Sequence, residues 1–189
     1  MKRINSKIIA FTAVMVALGN ALSALSIGLS KVGQVGLDLS HIATLIAAIY
    51  GGPLLGFIVG FLGGLVPGIY FGPLGMLQSL GLFGLPIGKS LTGVAVGGLF
   101  SLIKASRKKH LSLLTIPAVL VGYIPECLFT VFFFLILVPY FLGWVSILLL
   151  TSIIIKAWIE ISLMSILMAA LVGNNGFDTF MKRFFVIRT

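Results

Sequence analysis

The sequence predicts an all-α, multi-pass membrane protein, and three observations lead to this fold class. Hydrophobic residues make up 59% of the 189 residues and charged residues only 9%, which is too much apolar side chain for the interior of a water-soluble domain of this length. The apolar runs are continuous, as in membrane-spanning helices, and do not alternate as the strands of a barrel do. Basic residues flank these runs. We therefore expect a single domain over residues 1–189, with the lipid bilayer as its surroundings.

The net charge of +9 gathers in three places, namely the amino terminus, the loop Lys104–His110 and the carboxyl tail. Cytoplasmic loops of membrane proteins collect Lys and Arg, so this charge predicts topology and does not indicate a nucleic-acid partner. If all three segments are cytoplasmic, an even number of spans separates each pair. The prediction is six transmembrane helices in the cell membrane, with both termini cytoplasmic.

Six spans require the apolar run from His41 to Tyr70 to divide, and Gly51-Gly52-Pro53 is where a helix is least able to continue. The predicted spans cover about 8–28, 41–51, 53–70, 76–103, 113–139 and 145–172. Because about 20 residues are needed to cross a bilayer, we expect one span beside this break to be incomplete or strongly tilted. Asp38 or Ser40 could cap the helix that begins near His41.

Four ionisable residues fall inside the predicted spans: Lys89, Glu126, Lys156 and Glu160. A charge at the bilayer centre costs about 2.5–3.5 kcal/mol even on insertion scales, so each of these residues needs a partner. Two interpretations remain open. The four could form two buried ion pairs that only fix the register of the helices, or at least one of them could contact a small polar solute inside the bundle.

Other polar and aromatic side chains could complete a solute site. Asp38 and His41 precede the second span and could close over the site, or they could be a helix cap and a solvated histidine. Trp144 also suits an interfacial aromatic belt. The full set of candidate substrate-binding residues is Asp38, His41, Gln78, Lys89, Tyr123, Glu126, Trp144, Lys156 and Glu160.

Motifs of enzymes are missing from the sequence. Gly88-Lys89-Ser90 lacks the earlier glycine of a phosphate-binding loop, there is no His-Glu-x-x-His, and Cys127 is the single cysteine. We therefore predict no enzyme activity, no catalytic residue, no metal site and no cofactor. Active uptake would need another subunit or an ion gradient.

Two further motifs carry a resemblance to a known family. Ala13, Ala17 and Ala21 recur every four residues, which places small side chains on one helix face. A loop ending in Gly36-Leu-Asp38-Leu-Ser40-His41 is followed by a helix and by Gly51-Gly-Pro53-Leu-Leu-Gly56-x-x-x-Gly60. In these motifs, in its size and in the polar content of its last three helices, the chain resembles the substrate-binding S component of energy-coupling factor (ECF) transporters.

The resemblance implies a high-affinity binding subunit for a vitamin or related micronutrient. Its partners would be a transmembrane coupling subunit, which docks on the face formed by Ala13, Ala17 and Ala21, and two ATP-hydrolysing subunits. The alternative from a different class is an ion- or proton-coupled secondary carrier of a small polar solute, with Glu126, Lys156 and Glu160 as a proton relay.

Overall fold

The structure, a computed structural model, describes residues 6–30, 38–105 and 111–185. It consists of eight α-helices and one π-helical turn within those ranges: α1 (Ser6–Ser30), α2 (His41–Gly63), α3 (Leu65–Phe71), α4 (Gln78–Ala105), α5 (Leu111–Phe132), the turn Phe133–Leu137, α6 (Val138–Leu142), α7 (Ile147–Gly173) and α8 (Asn175–Lys182). This part of the chain contains no strand, which confirms the all-α prediction. Residues 31–37 of the predicted outer loop, most of the basic loop and both chain ends lie outside the described ranges.

Segments long and apolar enough to cross a membrane number five among the described residues: Ser6–Leu29, His41–Phe71, Gln78–Lys104, Leu111–Leu142 and Ile147–Gly173. Their limits agree with the predicted spans to within one helical turn. The chain is therefore compatible with a multi-pass membrane protein. The sixth span and the cytoplasmic location of both termini remain predictions, since no membrane is part of the structure.

The second segment reverses direction at Gly52, which has φ +82° and ψ −174° inside α2. A Cβ placed on Gly56 would lie 2.9 Å from the Cβ of Ala48, although a continuous helix would separate these residues by about 12 Å. The two arms of α2, residues 41–51 and 53–63, therefore lie side by side as a helical hairpin. A left-handed φ is easy only for glycine, which explains the break at this position.

The first arm of α2 is about 16 Å long at 1.5 Å per residue, so it reaches only halfway through a bilayer. This short arm is enclosed by the other helices, since every residue from Ala43 to Ile49 is buried. At its carboxyl end, Lys104 Nζ donates a hydrogen bond of 2.6 Å to the Ile49 carbonyl oxygen. Its amino end, His41, consequently lies inside the bundle.

The second arm of α2 packs closely on α4 through glycines. A Cβ on Gly93 would lie 2.1 Å from the carbonyl oxygen of Gly56, and a Cβ on Gly60 would lie 2.7 Å from that of Lys89. Only glycine allows the two backbones to approach so closely. This contact fixes the position of Lys89 beside the hairpin.

Asn20 of α1 replaces a backbone hydrogen bond that is missing at the junction of α2 and α3. Its Nδ2 donates to the Leu62 carbonyl oxygen at 2.9 Å, and its Oδ1 accepts from the Val66 N–H at 3.1 Å. Leu62 and Val66 are four residues apart, so these two backbone groups would bond each other in an unbroken α-helix. The side-chain amide takes the place of that bond, and it ties α1 to the junction at Gly64.

Candidate functional site

Charged and polar side chains from four parts of the chain meet around the amino end of α2. Asp38 and His41 come from the start of that helix, Lys89 from the middle of α4, Glu126 from the middle of α5, and Glu160 from the middle of α7. We call this group, together with Ser40, Thr92 and Lys156, the polar layer. Because Lys89, Glu126 and Glu160 lie near the middles of long apolar segments, the layer lies within the apolar part of the bundle.

Asp38 and Lys89 form the first ion pair of the polar layer. Lys89 Nζ lies 2.9 Å from Asp38 Oδ2 and also donates to the Ser40 hydroxyl. The other carboxylate oxygen of Asp38 accepts from the Ser40 N–H at 3.0 Å and from the Ser40 hydroxyl at 2.6 Å. Ser40 is the residue at the start of α2, and its side chain makes no capping hydrogen bond. Asp38 accepts the N–H of Ser40 and none of the N–H groups of the first turn, so neither of the two residues offered by the sequence is seen to cap α2 with its side chain.

Asp38 precedes the second membrane-spanning segment, and its environment favours the charged form. Burial alone raises the pKa of this carboxyl, but the positive charge of Lys89, the nearby His41 and hydrogen bonds from Ser40 and Lys89 together hold the pKa well below its ordinary value. The positive end of the α2 helix dipole lies next to Asp38 and also stabilises its charged form. Asp38 therefore stays ionised in the described arrangement.

His41 and Glu126 form the second pair. Nε2 of His41 lies 3.2 Å from Oε1 and 3.1 Å from Oε2 of Glu126, and the Thr92 hydroxyl donates to Oε2 of the same carboxylate. Next to them the ring of Tyr123 packs edge-on against His41 at 6.4 Å and against Trp158 at 5.4 Å between ring centroids. The His41–Glu126 pair therefore contacts the Thr92 hydroxyl on one side and the Tyr123 ring on the other.

Glu160 completes the polar layer from α7. Its Oε1 accepts the Asp38 N–H at 2.7 Å and lies 3.5 Å from Lys156 Nζ. Lys156 keeps 40% of its side chain exposed, whereas Lys89 keeps only 4%. Apart from the His41 imidazole, the layer has three carboxylates and two ammonium groups.

These contacts differ from the two-ion-pair interpretation of the sequence. Lys89 pairs with Asp38 and Glu126 pairs with His41, so residues that precede or begin α2 supply the partners that two of the four intramembrane charges need. Only Lys156 and Glu160 pair with each other, as their spacing on one helix predicts. Whether any of these residues contacts a solute stays a prediction.

Two of the predicted site residues lie elsewhere. Gln78 is exposed at the first position of α4, with φ +48°. Trp144 packs on a separate apolar cluster that contains Leu77, Phe133 and Leu150. Gln78 and Trp144 were predicted as site residues because each is a polar or aromatic residue near the end of a span. Sequence position alone does not tell which side of a helix faces the charged residues.

A small cavity adjoins the polar layer toward the carboxyl ends of α1 and α3. Its volume is about 80 Å³, and the residues that line it are Ser23, Ser26, Ile27, Asp38, Pro67, Phe71 and Lys156. We call it the serine cavity. If both termini are cytoplasmic, as predicted, the serine cavity lies in the outer half of the bundle.

Sequence reasoning missed Ser23, Ser26 and Thr92 as members of this region. Thr92 lies one helical turn after Lys89, and Ser23 and Ser26 are three residues apart, so the helical period offered a signal for both groups. That signal was weak, because Ser and Thr are frequent in membrane helices, where their hydroxyls commonly bond the preceding turn.

No family model, no curated protein and no solved structure matches this chain. Within residues 6–30, 38–105 and 111–185, no group of three or more His, Cys, Asp or Glu side chains is arranged to hold a metal ion. The function is accordingly argued from the polar layer, the serine cavity and the surfaces around them.

Proposed function

We propose that this chain is the membrane-embedded substrate-binding subunit of an ECF-type transporter for a vitamin or related micronutrient. In this proposal it has six spans in the cell membrane, and both of its termini are cytoplasmic. It binds the solute with high affinity and has no enzyme activity of its own. The observation that carries the proposal is the polar layer, because five charged side chains and a histidine meet in the middle of an apolar bundle.

The energetics of the polar layer favour a role in binding. Buried ion pairs are seldom more stabilising than apolar side chains of the same volume, because desolvation opposes their attraction. Ionisable groups inside membrane proteins usually lie on the path of a polar solute or ion.

The surface of α1 suits the partner that the resemblance implies. Ala13, Ala17 and Ala21 are all exposed, so this face is not used for packing within the described part of the chain. Small residues let a second helix approach closely in lipid. In the proposal, a transmembrane coupling subunit docks there, and two ATP-hydrolysing subunits supply the energy.

The size of the serine cavity indicates how the solute enters. Ligand pockets usually measure about 300–1,000 Å³, whereas the serine cavity holds about 80 Å³. The cavity as it stands can therefore enclose only part of a vitamin, and enclosing a whole vitamin would require neighbouring elements to move apart. The elements that would have to move are those that line the cavity, namely α1, α3 and α7.

The test is to purify the chain alone in mild detergent and identify the small molecules that it releases on denaturation by mass spectrometry. We expect one water-soluble compound at close to one molecule per chain, retained without any nucleotide. Titration of the emptied protein with that compound should then give saturable binding. Failure to retain any compound, together with no saturable binding of cell-extract metabolites, would contradict the proposal.

A second candidate is a proton-coupled carrier, and the contact of His41 with Glu126 favours it. An imidazole within hydrogen-bond distance of a carboxylate can exchange a proton. The two functions differ in what drives uptake. Transport into proteoliposomes that contain this chain alone, driven by a pH gradient, would favour the carrier and contradict the ECF-type subunit.

A further inference from the structure

The serine cavity has hydrogen-bond donors without acceptors. The Ser23 side chain is 1% exposed, and its hydroxyl has no hydrogen-bond partner among the described residues. A buried polar group without a partner costs about 1–3 kcal/mol, which is unusual in a folded protein. A hydroxyl in this position is explained if an acceptor enters the cavity beside it.

Lys156 is the second such donor. Its ammonium carries three N–H groups, and among the described residues its ion-pair partner is Glu160, at 3.5 Å. That distance is longer than a normal N–H···O hydrogen bond. Most of the donor capacity of Lys156 is therefore left for a group in the serine cavity, which this residue lines.

The acceptors around the serine cavity are already engaged. Both oxygens of Asp38 receive hydrogen bonds, one from Ser40 and the other from Lys89. The Ser26 hydroxyl donates to the Leu22 carbonyl oxygen at 2.8 Å and accepts from the Leu39 N–H at 3.2 Å. The unfilled hydrogen-bonding capacity of this cavity thus belongs to the Ser23 hydroxyl, which can donate or accept, and to the Lys156 ammonium, which can only donate.

From this imbalance we propose that the serine cavity binds the carboxylate, or an equivalent anionic group, of the transported solute. Lys156 supplies the positive charge and Ser23 a hydrogen bond, while the rest of the solute lies outside the cavity. A volume of about 80 Å³ is well below the roughly 300–1,000 Å³ of a pocket for a whole ligand and suits a single anionic group. This inference rests on the proposed function and narrows its substrate class to anionic solutes.

A cationic group fits this cavity less well. Both charged residues that line the cavity have a partner of opposite charge. Asp38 lies 2.9 Å from Lys89 and accepts hydrogen bonds on both oxygens, whereas Lys156 Nζ lies 3.5 Å from Glu160, so the unused hydrogen-bonding capacity is that of the ammonium. An anionic lipid headgroup shares the chemistry of a solute carboxylate. The experiment therefore uses nanodiscs of phosphatidylcholine, which has no net charge, and a second set that contains phosphatidylglycerol.

The experiment measures binding to the full chain by isothermal titration calorimetry with pairs of probes that differ only in the anionic group. Suitable pairs are biotin and biotinamide, nicotinate and nicotinamide, and pantothenate and pantothenol, joined by the compound released from the purified protein and its amide. We expect at least one anionic member to bind about tenfold or more tightly than its neutral partner, as charge-assisted hydrogen bonds imply. Lys156→Met and Ser23→Ala should abolish this preference.

Matched variants separate a binding role from a structural one. Lys156→Arg keeps the charge and should keep the preference, and Ser152→Ala, an exposed serine of α7 that bonds only its own helix, should change nothing. The inference alone is overturned if only neutral or cationic probes bind, if Lys156→Met binds the anionic probe as wild type does, or if phosphatidylglycerol abolishes probe binding. If neither the probes nor the released compound bind at all, the proposed function itself fails.

Discussion

Nε2 of His41 lies 3.1 Å from Oε2 of Glu126, so the first residue of α2 is held at the middle of α5. The contact joins two residues separated by 85 positions in the chain. It places the amino end of a half-length helix inside the bundle, where its partial positive charge faces carboxylates. The predictions below follow from this arrangement and from the packing that supports it.

Replacing Glu126 by Gln should weaken solute binding by about tenfold or more, since loss of one member of a buried charged pair is costly. The variant loses the charge that holds His41, so the start of α2 is less well ordered. The measurement is a titration of the purified variant with the released compound. Thr130→Val is the control, because Thr130 lies one turn away and bonds only the Glu126 carbonyl oxygen. Unchanged affinity in Glu126→Gln would support a role in helix register alone.

Replacing Lys89 by Met should lower the free energy of unfolding by about 1.5–3 kcal/mol, because it leaves the half-buried Asp38 carboxylate without its positive partner. Adding Asp38→Asn to this variant should recover part of the loss. Thermal unfolding in detergent measures both effects. The control is Lys182→Met, whose exposed ion pair with Asp178 should contribute less than about 1 kcal/mol. Equal losses of stability in the two lysine variants would show that the Lys89–Asp38 pair stabilises the protein no more than an exposed ion pair does.

Replacing Asn20 by Leu should destabilise the protein by about 1–3 kcal/mol, since the Leu62 carbonyl and the Val66 N–H lose their partner. Thr12→Val serves as the control on the same helix, because the Thr12 hydroxyl bonds only the Ile8 carbonyl oxygen. The difference in melting temperature between the two variants measures the effect. If both variants melt at the wild-type temperature, the Asn20 amide does not hold the junction of α2 and α3.

Gly93→Ala and Gly98→Ala form a matched pair on α4. A Cβ on Gly93 would overlap the Gly56 carbonyl, at 2.1 Å from its oxygen, whereas a Cβ on Gly98 would meet nothing within 4 Å. We expect Gly93→Ala to lower stability by about 1–3 kcal/mol. Gly98→Ala should be neutral or stabilising by up to about 1 kcal/mol. Thermal unfolding checks the order, and equal behaviour of the two variants would argue against close contact of α2 with α4.

Replacing Ala17 by Trp should prevent assembly with the coupling subunit and leave solute binding by the isolated chain unchanged. The large ring would block close approach of a second helix to the exposed face of α1. Co-purification of the complex measures assembly. Ile166→Trp is the control, because Ile166 is 59% exposed on α7, away from the alanine face. Normal assembly of the Ala17→Trp variant would contradict the proposed docking face.

Much of the helical framework could be predicted from the sequence. Long apolar runs give the span limits directly, and Gly51-Gly52-Pro53 predicts the break that the structure places at Gly52. The short first arm of α2 also follows from counting residues against bilayer thickness. These features depend only on the local sequence, so they can be read from it directly.

The pairing of the charged residues could not be predicted in the same way. Lys89 and Glu126 lie at similar depths in their predicted spans and could have paired with each other. In the structure, Lys89 pairs with Asp38 and Glu126 with His41. That choice depends on how the helices are arranged and on the entry of α2 into the bundle, which a single sequence does not encode locally. The Ser23 hydroxyl was missed for the same reason, because its importance depends on the neighbours that α3 and α7 bring to it.

The central claim is that the polar layer exists to hold a water-soluble solute. The most direct measurement is equilibrium binding of the released compound to the purified chain without nucleotide, comparing wild type with Glu126→Gln. The account predicts saturable binding at one molecule per chain in wild type and a loss of about tenfold or more in the variant. Binding of equal strength in both proteins, or none in wild type, would contradict it.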